Sequence, residues 1–150
     1  MALALVALAV VTLGACGSAA VTREDVIARG DAICSSALRS IRATAPPAQG
    51  AGSLAALASY LQRVLPIVDK EAAELRALPR PASGRATLKR YIAAVTGSAA
   101  EYGALAAAAA RGDRSASDAA LAALRADQAS ALALQYGLTQ CAGTAGTGVT

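Results

Sequence analysis

The sequence predicts an all-α protein: an antiparallel up-down-up-down four-helix bundle that follows an N-terminal signal segment. Three observations carry this. Alanine supplies 43 of the 150 residues, and alanine loses no side-chain entropy on entering a helix. Apolar residues recur every three or four positions in four separate stretches, which is the period of a helix with one buried face. Short proline- and glycine-rich segments separate those stretches, and connections of that length favour antiparallel neighbours.

The first helix is predicted from Thr22 to Ala43. Thr22 with Asp25 three residues on reads as a capping-box variant, and acids in the first turn suit the helix dipole. Ile27, Cys34, Leu38 and Ile41 recur at helical spacing, with Gly30 and Ala37 on the same side. Pro46-Pro47 stops the run, because a residue before proline avoids the α region. The second helix is predicted from Ser53 to Leu78, with a stripe through Leu54, Leu57, Leu61, Val64, Leu65, Val68, Leu75 and Leu78. Pro66 falls inside it, where the lost N–H predicts a kink. The third runs from Ser83 to Ala110 through Leu88, Ile92, Val95, Tyr102 and Leu105, with Gly112 as its stop. The fourth is predicted from Ser115 or Ser117 to Tyr136 and is terminated by Gly137. Gln128 falls near its apolar stripe, as a boundary residue or an interior hydrogen-bonding group.

Residues 1–22 carry no charge, and Ala2 to Leu13 form an apolar stretch of secretory h-region length. The stretch ends in Leu13-Gly14-Ala15-Cys16, which resembles a bacterial lipobox. That resemblance implies cleavage after Ala15, thioether lipidation of Cys16 and acylation of the new amino terminus. The chain then divides into a signal peptide (1–15), a short tether (16–21), a four-helix domain (22–141) and a Gly- and Thr-rich tail (142–150) expected to be disordered. No basic residue precedes the apolar stretch, so an uncleaved signal anchor and simple secretion stand as alternatives. Both the lipid anchor and the signal anchor place the domain on the extracytoplasmic face of the cell membrane.

With Cys16 lipidated, the domain keeps Cys34 and Cys141, one near each end. Outside the cytoplasm such a pair reads as one disulfide. In an up-down bundle the fourth helix ends beside the start of the first, whereas Cys34 lies about 18 Å along that helix at 1.5 Å per residue. Either the first helix overhangs the bundle or Leu138 to Cys141 folds back along it, and Gly137 favours the fold-back.

Several activities find no support. The net charge of +4 is spread over basic residues interleaved with acids, which argues against nucleic acid as a partner. Histidine is absent, which removes the Glu-x-x-His pairs of di-iron bundles and the usual base for a nucleophile. No metal site and no cofactor are expected. Asp69, Glu71 and Glu74 lie among Lys70 and Arg76 and read as a solvated helical face. Arg111-Gly112-Asp113 spells an integrin-type tripeptide but reads as a helix stop. The only aromatics, Tyr60, Tyr91, Tyr102 and Tyr136, are expected at core edges, with a ligand pocket between helices as the second possibility.

The leader, Asp31-Ala32-Ile33-Cys34 and the ending Tyr136-Gly137-Leu138-Thr139-Gln140-Cys141 together resemble small uncharacterised actinobacterial lipoproteins. The resemblance implies a helical domain with a cysteine in the first helix and another after the last, and carries no assigned activity. The expected role is a non-enzymatic, membrane-anchored module that binds or scaffolds another envelope protein. The alternative is a carrier of a small apolar ligand within the bundle.

Overall fold

The computed structural model describes residues 20–47 and 53–143. They form α1 (Arg23–Ala43), α2 (Leu54–Arg76), α3 (Arg85–Ala110), α4 (Arg114–Arg125), α5 (Ala129–Tyr136) and a closing 3-10 turn (Cys141–Gly143). No strand occurs among the described residues, and the chain is an all-α bundle.

The caps are built as the sequence implies. Asp25 N donates to Thr22 Oγ1 at 3.1 Å and Thr22 N donates to Asp25 Oδ2 at 3.0 Å, a reciprocal box that opens α1. The bonds that Thr22 N and Thr22 Oγ1 donate to Asp25 Oδ2 hold this carboxyl below its ordinary range. Val21, the last tether residue, packs on the same apolar cluster as Val26, so the folded unit begins one residue before Thr22. Ser53 caps α2 by accepting from Ala56 N at 3.2 Å. The helix continues through Pro66, whose side chain is exposed; the ring removes one intrahelical hydrogen bond without ending the helix. Asp113 N donates to Ala108 O at 3.0 Å and Gly112 N to Ala109 O at 3.1 Å, which closes α3 in a Schellman pattern. Asp113 then caps α4 by accepting from Ala116 N at 3.0 Å. The Arg111-Gly112-Asp113 tripeptide is thus a helix stop joined to a helix start.

The predicted fourth helix is two helices. Asp127 interrupts it: its Oδ1 accepts from Ala129 N at 3.0 Å, and its Oδ2 accepts from the Ser98 hydroxyl of α3. A short acidic side chain that bonds nearby backbone competes with the helix, and here a tertiary partner fixes the outcome. Gln128 is exposed and makes no side-chain cap bond; it is a linker residue, not part of a stripe.

α3 is central, packed by α2 on one side and by α4 and α5 on the other; α1 packs on α2 and on the closing turn. Neighbours run antiparallel. Arg23 of α1 donates to Tyr136 O at the end of α5, and Arg90 of α3 donates to Gln135 Oε1 at 3.0 Å. The interior forms two apolar clusters. One, at the α1 N-terminal end, gathers Val26, Cys34, Leu75, Leu88, Tyr91, Tyr136 and Leu138 with their neighbours. The other, at the opposite end, gathers Tyr60, Leu61, Val64, Leu105, Ala106 and Ala120.

Beyond α5 the chain turns back along α1. Gly137 makes the reversal at φ 102°, a conformation that costs a residue with a Cβ about 1–2 kcal/mol. Leu138 then lies on Gly30 so closely that a Cβ there would sit 2.5 Å from Leu138 Cδ2. Gln140 N donates to Asp31 Oδ1 at 2.9 Å, and Thr139 Oγ1 donates to Asp31 Oδ2 at 3.3 Å. Ala142 and Gly143, assigned to a disordered tail by sequence, belong to the closing turn, where Ser130 Oγ donates to Ala142 O at 3.2 Å.

Candidate functional site

Three arrangements could carry function: the cysteine clasp, a buried polar layer and the Arg23–Tyr136 corner. Cys16 lies outside the described residues.

The fold-back brings Cys141 to Cys34. Their Sγ atoms are 1.97 Å apart and their Cα atoms 5.0 Å apart, a disulfide that closes a sequence separation of 107 residues. Both residues are fully buried. The Tyr91 hydroxyl lies 3.7 Å from Cys34 Sγ.

Between the two apolar clusters lies a polar layer that sequence reasoning missed. Glu71 was expected on the solvated face of α2; it is instead only 8% exposed. Asp69, Lys70 and Glu74 do face solvent, and Lys70 Nζ sits 3.9 Å from Glu74 Oε1, also exposed. Helical spacing carried the signal: Glu71 follows Val64 by seven positions and Val68 by three, and precedes Leu75 by four, so it belongs to the apolar stripe. Among the described residues no cation pairs with it. Burial, with Glu74 adding repulsion, pushes its carboxyl up to about 7.

The other members of the layer come from α3 and the α4–α5 link. Burial first, then the charges of Glu71, Asp31 and Asp127, raises the Tyr91 phenol. Burial, Tyr60, Glu71 and Asp127 raise Tyr102. The charges of both carboxylates thus act on both phenols, which stay protonated, while Ser98 is held on Asp127. Chemically, this layer can take up and release one proton near neutrality at Glu71. Replacing Asp127 with alanine should cost about 1–2 kcal/mol, since it removes the α5 cap and the Ser98 bond together; urea unfolding measures it, and an unchanged midpoint would contradict the structural role.

The four tyrosines are not brought to one place. Tyr91 and Tyr136 belong to the cluster around the disulfide, Tyr60 and Tyr102 to the other. Tyr136 is 1% exposed, and its ring lies under Arg23, whose guanidinium carbon is 5.2 Å from the ring centroid. Its hydroxyl is buried without a hydrogen-bond partner. Burial raises this phenol, Arg23 opposes the rise and Glu24 adds to it.

Among the described residues no group of three or more His, Cys, Asp or Glu side chains is placed to hold a metal. Comparison with protein-family models, curated proteins and solved structures finds no match for the chain.

Proposed function

We propose that the chain is an envelope-anchored lipoprotein whose helical domain is a non-enzymatic binding or scaffolding module for another envelope protein. The observation that carries this reading is the Cys34–Cys141 disulfide, because such a bridge persists on the oxidising side of a membrane. The apolar leader ending in Leu13-Gly14-Ala15-Cys16 supplies the address: lipid on Cys16 holds the domain to the extracytoplasmic face, as in the actinobacterial lipoproteins that it resembles. One acyl chain anchors marginally and two or more hold stably, so the domain needs no apolar face of its own to stay at the membrane. Leu134 is the one large apolar side chain that is well exposed among the described residues. A lone leucine is not a docking patch, so the partner is engaged chiefly through polar and small side chains. A carrier role is less favoured, because the tyrosines that were to line one pocket are divided between two clusters.

Fractionation of bacteria that express the full chain or its Cys16→Ala variant tests this. The wild type should sit in the membrane fraction and cross-link to a specific envelope protein, while the variant should leave the lipid-modified pool. Wild-type protein recovered unprocessed in the cytosol would overturn the proposal.

A further inference from the structure

The N-terminal end of α3 is left open. Gly84 offers no side-chain cap, and the first N–H groups of a helix have no partner within it. This 26-residue helix therefore presents unpaired donors and the positive end of its dipole.

Two side chains from other elements converge on that end. Arg23 runs beside Gly84, with Cδ and Nε each 3.5 Å from the place a Cβ would occupy there. Tyr136 Cε2 lies 2.9 Å from the same place, so the edge of the ring next to the hydroxyl-bearing carbon packs on Gly84, the N-cap of α3. That hydroxyl is the one buried side-chain polar atom without a hydrogen-bond partner among the described residues. A buried donor without an acceptor is costly, and native structures rarely keep one idle. Arg23 Nη2 donates to Tyr136 O, while its Nε lies on the Gly84 side.

We propose that this corner binds an oxyanion of the phosphate class, held by the open first turn of α3, by Arg23 and by the Tyr136 hydroxyl. Arg23 lies over the Tyr136 ring in the free protein, so binding turns its guanidinium from the ring onto the anion, whose oxygens accept from all three donors. Glu24, the acidic group that acts on Tyr136, opposes the anion and limits its affinity. The corner's geometry does not depend on the anchor. Should Cys16 carry lipid, Arg23 follows it by seven residues, at most about 25 Å of extended chain, and the corner lies within reach of anionic headgroups.

The test is thermal unfolding of the full-length chain in phosphate against chloride at equal ionic strength, for wild type, Tyr136→Phe, Arg23→Gln and Glu24→Gln. With phosphate tenfold above its dissociation constant, the wild-type midpoint should rise by about 4 °C. Tyr136→Phe keeps the ring and should lose most of that rise, as should Arg23→Gln, while Glu24→Gln should enlarge it. A merely structural tyrosine predicts equal phosphate response in wild type and Tyr136→Phe, and that result overturns the proposal, as does no phosphate-specific rise in the wild type. Vesicles of phosphatidylglycerol, with phosphatidylcholine as control, separate the sources. Displacement of phosphate by the anionic vesicles alone supports the corner as a lipid-headgroup site; retained phosphate supports it as a site for free phosphate.

Discussion

The paired substitution Cys34→Ala and Cys141→Ala is expected to lower the unfolding free energy by about 4–5 kcal/mol, the chain-entropy value for a closed loop of this length. The separation of 107 residues puts the bridge near the top of the range that one crosslink can contribute. The net stability of a small domain is itself only about 5–15 kcal/mol. This domain has little in reserve: among the described residues nine of the buried apolar ones are alanines, each burying far less area than a leucine. Loss of the clasp also frees the fold-back, leaving Leu138 and the closing turn held on α1 by non-covalent contacts, among them those of Gly30, Asp31 and Ser35. The midpoint in guanidinium should fall steeply, and treating the wild type with reductant should reproduce most of the fall without any change of side-chain volume. Coincident unfolding curves for oxidised and reduced protein would contradict this account of the stability.

Glu71→Gln is expected to remove an unusual pH dependence. In the unfolded chain this carboxyl titrates near 4.5 and in the folded chain near 7. Between those values the folded protein holds a proton that the unfolded chain has released. Its contribution is therefore most favourable below about pH 4.5, declines as pH rises to about 7, and is flat above. The decline amounts to about 3 kcal/mol. Most paired carboxylates act in the opposite sense, and Asp25 does so here: its carboxyl is held low by Thr22, so its contribution is lost as pH falls. The Glu71 effect is isolated by the difference between wild type and Glu71→Gln, which should vanish at pH 4 and favour the variant at pH 8. Parallel pH profiles for the two proteins would show that Glu71 is not both buried and unpaired in solution.

The helices were legible because their signals are local. Thr22 with Asp25, Ser53 before an apolar run, and Gly112 and Gly137 after one each act within a single turn of chain, and each marks an observed boundary. The fold-back of Leu138 to Cys141 was also readable: a bridge to Cys34 required either an overhanging first helix or a reversal, and Gly137, at φ 102°, pointed to the reversal. Asp127 was not read correctly, because its effect depends on Ser98, which lies 29 positions earlier and is brought to it by tertiary packing. Glu71 was misplaced for another reason. Its charged neighbours suggested solvent, while its spacing from Val64, Val68 and Leu75 pointed inward, and the spacing won. The Arg23–Tyr136 corner had no sequence signal beyond the identities of its members, since 113 positions separate them.

Maturation on the oxidising side of a membrane, with the two domain thiols joined, underlies both the proposed address and the expected stability. Intact-mass measurement of protein purified from membranes, with thiol alkylation before and after reduction, tests this most directly. The predicted result is no alkylation of Cys34 or Cys141 until reductant is added, then alkylation of both, on a chain that begins at an acylated Cys16. Alkylation of both thiols without reductant, on a chain that still carries residues 1–15, would contradict it.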